Sequence, residues 1–206
     1  INVTVPFKNK VIKYLDKLSL EVESTDSVNT IYKSGKDIIG HNTDVAGFEL
    51  GLRHSKINVL HKSILILGAG GVVPSIIYSL LSMGCKKIYL SNRTISKAED
   101  IKNKFNEIEI LKWGKIPDFD IVINATSVGL KGDSLDIEFN VKDKVFYDVI
   151  YNPKETHFLK KAKENGNKIE NGKYMFIYQA NQSFSIWNNV IPKIDKDVLK
   201  ILEWLK

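Results

Sequence analysis

The sequence predicts an α/β protein, an open and doubly wound parallel sheet joined to a second, smaller α/β unit. Three observations carry that expectation. Apolar runs such as the ILIL ending at Leu67 and the DIVIN ending at Asn124 lack alternation, the pattern of strands covered by helices on both faces. These runs alternate with segments of helical periodicity, which implies parallel strands joined by right-handed crossovers. The first run also ends in a glycine turn, Gly68-Ala69-Gly70-Gly71, that opens directly onto a helix.

Taken in order, INVTV alternates as a strand that Pro6 ends. KNKVIKYLDKLSL places Val11, Leu15 and Leu18 on one helical face. SVNTIYK and DIIGHN read as two short strands around the turn SGKD. TDVAGFELGLR reads as a helix with Thr43 and Asp44 in cap positions and Val45, Phe48 and Leu52 on its apolar face. SILIL is the first strand of the larger unit, followed by the glycine turn and a helix closed by Gly84. KKIYLSNRT is a second strand, SKAEDIKNKF a polar helix, DFDIVINAT a third strand with Asp118 and Asp120 before it, and KVFYDVI a fourth. ETHFLKKAKENG reads as a helix ending at Gly166, and the helical segments YMFIYQANQSFSIWNN and KDVLKILEWLK close the chain.

Composition narrows the function classes. With 206 residues, 43% hydrophobic and 26% charged, the chain can bury a sizeable core, which excludes collagen-like and wholly disordered readings. No apolar run approaches the roughly 18 residues of a membrane span. The net charge of +6 invites a polyanion, yet the lysines alternate with Glu and Asp as on solvated helix faces, and no clustered basic stripe points to nucleic acid. The single Cys85 excludes an internal disulfide and reads as a buried structural residue in a reducing cytoplasm. His41, His54, His61 and His157 form no metal-ligand spacing with it, so no metal is expected. The opening INVTV has neither Met nor a signal-like region, and predicts that a segment precedes residue 1 in the complete protein.

The glycine turn carries the first chemical expectation. Glycine permits a tight turn and close approach of a pyrophosphate, whose charge meets the amides and positive dipole end of the following helix. The third glycine of the usual G-x-G-x-x-G pattern falls at Val73, so the match is partial. Pro74 is compatible with a first helical turn. The second strand ends in Ser91-Asn92-Arg93-Thr94, with Lys97 one turn later and no carboxylate to repel a phosphate. Arg93 can lie on adenine and fork onto a 2′-phosphate, so NADP is expected over NAD.

Several blocks in order make a resemblance specific. Asn2-Val3-Thr4-Val5-Pro6-Phe7-Lys8, Ser27-Val28-Asn29-Thr30, and Gly40-His41-Asn42-Thr43-Asp44 with Gly47 are followed by the glycine turn and Asn92-Arg93-Thr94. Then come Asn124-Ala125-Thr126-Ser127 with Gly129, Asp148 with Tyr151 and Pro153, and Met175 with Gln179 and Ala180. Over nearly the whole chain these resemble the signature blocks of the shikimate dehydrogenase family. The resemblance implies a Rossmann-like fold and reversible, NADPH-dependent reduction of 3-dehydroshikimate to shikimate in aromatic amino-acid (chorismate) biosynthesis. It implies Lys8 and Asp44 as catalytic residues, and Thr4, Asn29 and Gln179 as substrate ligands with Tyr151 at the mouth. A cation that also donates a proton suits an oxygen gaining charge during hydride delivery, and Asp44 can hold it in register. Gly68, Ala69, Gly70, Gly71, Val72, Asn92, Arg93, Thr94, Lys97, Thr126, Ser127, Val149 and Gly172 are implied for the cofactor.

The expected division is a remainder of the substrate domain at 1–46, an NADP domain at 47–172, and C-terminal helices at 173–206 returning to the substrate side. The family's serine pair for the substrate carboxylate belongs to the segment expected before residue 1, so weak NADP(H) binding and little turnover are expected of the 206 residues alone. Lys173-Tyr174 stands where the family more often has a small or apolar pair. Rival readings are a quinate/shikimate dehydrogenase using NAD, a catalytically inactive nucleotide-binding homologue and a nucleic-acid binder. A monomer and a homodimer are both compatible with the sequence.

Overall fold

The structure, a computed structural model, describes residues 1–203. A 3-10 turn at Ile12–Tyr14 precedes β1 (Lys17–Leu18), α1 (Leu20–Thr25), β2 (Thr30–Ser34), β3 (Asp37–His41) and α2 (Thr43–His54). The larger unit follows as β4 (Ser63–Leu67), α3 (Val73–Ser82), β5 (Lys87–Ser91), α4 (Ile95–Lys104), β6 (Glu109–Leu111), β7 (Ile121–Asn124), β8 (Val145–Asp148), α5 (His157–Glu164) and β9 (Lys168–Asn171). The helices α6 (Lys173–Asn188) and α7 (Lys196–Glu203) complete it, and the end of the helix expected through residue 206 lies outside the described residues. None of the described helices is long and apolar enough to cross a membrane.

The six-stranded sheet has the order β6-β5-β4-β7-β8-β9 with every pair parallel. From β4 the chain winds outward through β5 and β6, then returns to β7 beside β4. That reversal opens a crevice at the carboxyl ends of β4 and β7, where open α/β sheets bind ligands. Both sheet faces are covered, as the unalternating runs require. Ile64 and Ile66 pack with Phe48, Ile76, Ile77 and Leu80 on one face. Leu65, Leu67 and Val122 pack with Phe146, Phe158 and Leu159 on the other.

The smaller sheet has the order β1-β3-β2, with β3 parallel to β1 and antiparallel to β2. Here the structure departs from expectation. The strand expected over INVTV reduces to a single bridge between Asn2 and Thr30, supported by Val3 N–H donating to Asn29 O. The helix expected over 8–20 reduces to the 3-10 turn at Ile12–Tyr14. Asp16 N–H donates to Ile38 O and Ser19 N–H to Gly40 O, so the segment pairs along β3 instead. Leu15 and Leu18 cover Gly40, where an added Cβ would meet Leu15 Cδ1 at 2.5 Å. A short isolated helix is marginal, and edge pairing over a glycine satisfies both the backbone and the leucines. Helix α1 and the edge strands β6 and β9 were not expected.

Helix α2 joins the sheets, running unbroken through residues 46 and 47. Its cap is Asn42 rather than Thr43 or Asp44: the Asn42 side chain accepts Asp44 N–H at 3.1 Å, which puts Asp44 in the first turn. Gly47 and Gly51 let α2 and α6 pass backbone to backbone. A Cβ on Gly47 would lie 2.8 Å from Gln179 Cβ, and one on Gly51 would lie 3.0 Å from Met175 N. This close approach brings Gln179 beside the start of α2.

Candidate active site

A cleft of about 500 Å³ opens between the small sheet and the carboxyl ends of the parallel sheet. Thr4, Lys8, Asn29, Asp44, Tyr151 and Gln179 all line it, so the six expected substrate residues converge from segments far apart in sequence. Val72, Val149 and Gly172 form the wall on the parallel-sheet side.

Lys8 lies in the turn after Pro6, which is pinned by Val28 N–H donating to Lys8 O at 2.9 Å. Its Nζ donates to Asp44 Oδ2 at 2.5 Å, with 15% of the lysine and 9% of the aspartate side chain exposed. The α2 N-terminus favours a carboxylate at Asp44. Asp44 Oδ1 accepts Asn29 Nδ2 at 2.9 Å. The Asn29 amide cannot turn over freely, because its Oδ1 accepts Thr43 N–H at 2.8 Å and the Thr30 hydroxyl at 3.0 Å. Asn29 Nδ2 also reaches Gln179 Oε1 at 3.4 Å. Behind this row, Ser183 Oγ contacts Thr30 Oγ1 at 2.7 Å and Thr43 Oγ1 at 3.1 Å, fastening α6 to the small sheet. The result is an ammonium held by one carboxylate at the edge of a cleft, with oriented amides beside it for a hydroxylated ligand.

Tyr151 stands at the mouth and stacks on Phe176, with ring centroids 4.6 Å apart and planes inclined by 22°. Phe176 lines the cleft but was missed in the sequence; its i, i+3 spacing to Gln179 on a helix is the signal that would have found it.

The dinucleotide positions form the other wall. Gly68 has φ +106°, and an added Cβ would lie 2.8 Å from Ala125 O, so only glycine fits where β4 leaves the sheet. A Cβ on Gly70 or Gly71 would meet nothing closer than 3.6 Å, leaving open space above the turn. Val73, where a third glycine was looked for, is fully buried in the core. No side chain caps α3, but Val73 N–H donates to Gly70 O at 3.0 Å and Pro74 has no N–H, so an anion would meet the amides of the preceding glycine turn and the positive end of the helix. At Gly172 a Cβ would collide with Val149 O, so the backbones after β8 and β9 touch where both line the cleft. These cradles fit a dinucleotide.

Beyond β5, Asn92 Nδ2 donates to Thr94 O at 2.7 Å and folds a turn on which Arg93 and Thr94 are exposed, with Lys97 exposed in the first turn of α4. Thr126 is already engaged: its hydroxyl donates to Asn124 Oδ1 at 2.7 Å and accepts Val128 N–H at 3.1 Å, while Ser127 is exposed beside it.

Asp148 ends β8 with no exposed surface. It accepts Thr156 Oγ1 at 2.6 Å, Ile150 N–H at 3.0 Å and Asn124 Nδ2 at 3.1 Å. Desolvation pushes its carboxyl above the ordinary carboxylate range, against the opposing pull of those hydrogen bonds. It ties β7, β8 and the start of α5 together beneath the loop carrying Val149 and Tyr151. Cys85 is half-buried rather than buried, and desolvation pushes its thiol up to about 11, away from nucleophilic use. Among the described residues, no three His, Cys, Asp or Glu side chains gather as a metal site.

The chain is similar to known proteins in sequence and in fold. The family described as "Shikimate / quinate 5-dehydrogenase" matches residues 51–130, and that described as "Shikimate dehydrogenase substrate binding domain" matches residues 1–31. A shikimate dehydrogenase (NADP(+)) of Pelagibacter ubique is 54% identical over 206 residues, which cover 98% of this chain and 78% of that protein. The crystal structure of shikimate dehydrogenase from Aquifex aeolicus superposes with a TM-score of 0.84 at 39% identity, covering 94% of this chain and 73% of that one. The Thermus thermophilus shikimate 5-dehydrogenase, solved in complex with NADP(H) and shikimate, gives 0.85 at 29% identity, covering 93% and 74%.

Proposed function

The chain belongs to the shikimate dehydrogenase family, and from that premise we propose that Lys8 and Asp44 carry its NADP-dependent, reversible reduction of 3-dehydroshikimate to shikimate. One observation supports the assignment above others: Lys8 and Asp44, 36 residues apart, meet at 2.5 Å in the cleft whose far wall is the dinucleotide cradle. NADPH, when bound, supplies the hydride. Lys8 Nζ gives a proton to the ketone oxygen as negative charge builds there, and in the oxidising direction the same amine receives the proton. Asp44 keeps that nitrogen in place through Oδ2 and offers its remaining lone pairs to a ring hydroxyl. Thr4, Asn29 and Gln179 read further hydroxyls, and Tyr151 on Phe176 closes the mouth. Polar groups at fixed depth discriminate because a wrong ring leaves one of them unpaired.

Residues 1–46 with α6 hold the substrate, and residues 47–172 hold the dinucleotide. The pyrophosphate lies on Gly68-Ala69-Gly70-Gly71 and Val72, the 2′-phosphate on Asn92, Arg93, Thr94 and Lys97, and the nicotinamide end against Thr126, Ser127, Val149 and Gly172. The absence of a carboxylate from Ser91-Asn92-Arg93-Thr94 weighs against NAD as the preferred cofactor. The setting is a reducing cytoplasm.

The test is to follow nicotinamide absorbance with shikimate and quinate, each with NADP⁺ and NAD⁺. Turnover of the complete protein is expected with shikimate and NADP⁺; none with any of the four pairs overturns the reading. Arg93→Ala should weaken NADP⁺ binding by about tenfold, the scale of one charge-assisted hydrogen bond, and leave NAD⁺ binding nearly unchanged in calorimetry.

A further inference from the structure

The substrate side and the dinucleotide side of the cleft are joined by one buried amide. Asn42 has no exposed surface, and its side chain is fully paired. Its Oδ1 accepts Asp44 N–H at 3.1 Å. Its Nδ2 donates to Thr25 Oγ1 on α1 and to Ser75 Oγ on α3, both at 2.9 Å. The Thr25 hydroxyl in turn bonds Glu21 O. The amide therefore has one workable orientation, since turning it over would set donor against donor at Asp44 N–H.

Ser75 is the third residue of α3, just after Val72 on the cleft wall. One turn later, on the same face, Ser79 Oγ donates to Val45 O at 2.9 Å. Both serines are fully buried, on a helix whose other buried residues, Val73, Ile76, Ile77 and Leu80, are apolar. Burying two hydroxyls there is costly unless they are paired, and both are paired to the first turn of α2 or its cap. The helix that receives the pyrophosphate is thus fastened by polar contacts to the turn that presents Asp44.

Resting on the assignment of Lys8 and Asp44 above, we propose that Asn42 and Ser75 are positioning residues that set the distance between the Lys8–Asp44 pair and the bound dinucleotide. Hydride transfer needs its two carbons in near-contact, and a displacement of about 1 Å can cost on the order of 100-fold in rate without loss of either ligand. Ser75→Ala removes only the α3 arm. Asn42→Ser keeps a hydroxyl able to cap α2 but too short to reach Ser75.

In each variant kcat should fall by about tenfold or more, while both KM values and calorimetric NADPH binding stay within about threefold. With deuterated NADPH the isotope effect on kcat should rise, which a purely structural defect does not produce. The double variant should be no slower than Asn42→Ser alone, because both changes remove the same bond. Rates are counted per NADPH-binding site, so a partly unfolded sample does not mimic the effect. Unchanged kcat in both variants overturns the proposal, as does a loss of kcat that tracks lost NADPH binding. Lys8→Ala is measured beside them. If it turns over normally, the assignment of Lys8 and Asp44 fails; if it is dead while both positioning variants are normal, only the coupling fails.

Discussion

Two buried aspartates, one from each side of the cleft, differ in what surrounds them, and the difference bears on which of them can act on a ligand. Asp44 is 6% exposed and Asp148 is 0% exposed, so burial does not divide them. Their partners do. Asp44 faces a lysine and an amide at the cleft edge, whereas Asp148 is wrapped by Thr156, Ile150 N–H and Asn124, with no cation in contact among the described residues. A charge paired with a mobile proton carrier and open to a ligand can do work on that ligand. One enclosed by neutral donors can only fix the elements that supply them.

The sharpest way to break this comparison is to remove the cation. Lys8→Ala is expected to lower kcat by about 10²- to 10⁴-fold, the usual worth of a positioned proton donor, with NADPH affinity by calorimetry nearly intact. A rate close to that of the unaltered protein would place Asp44 in the same structural class as Asp148.

The converse change acts on stability. Asp148→Ala leaves the Thr156 hydroxyl, Ile150 N–H and Asn124 amide without their acceptor, at about 1–3 kcal/mol for each unpaired buried group that water cannot reach. Unfolding in urea should show a loss of about 3 kcal/mol, while kcat per folded molecule changes less than about threefold. A collapse of kcat at unchanged stability would move Asp148 into the chemistry.

The sequence made the middle of the larger sheet readable because its strands are buried on both faces, and unbroken apolar runs have few other uses. The edges were not readable in the same way. β6 (EIL) and β9 (KIEN) are short and partly polar, and become strands only through their neighbours β5 and β8. The segment 8–20 has helical spacing, but its residues 16–19 lie along β3, because Gly40 leaves room that no local pattern announces. At the site, residue types with a chemical signature were visible, Lys8 and Asp44 among them. Of the neutral groups around them Asn29 was visible too, but those farther back were not. Ser75, Ser183 and Phe176 acquire meaning from partners more than 20 residues away, and a serine in an apolar helix carries no mark of the cap it will meet.

The smallest effect expected follows from the enclosure of Asp148 itself. Desolvation raises its folded-state carboxyl above the ordinary value near 4, so the folded protein binds this proton more tightly than the unfolded chain does. The stability it contributes is therefore full below the ordinary carboxylate range and is lost as pH rises through the raised value. Asp148→Asn cannot titrate, so it serves as the reference for every other carboxylate in the chain. The unfolding free energy of the unaltered protein minus that of Asp148→Asn should decline as pH is raised from about 4, then level off once the buried carboxyl is ionised. Had Asp148 an unseen cation partner, the slope would have the opposite sign, because a carboxylate stabilised by charge loses stability on acidification. A rising difference would erase the contrast with Asp44, whereas a falling one identifies Asp148 as a carboxylate kept for its hydrogen bonds at the expense of its charge.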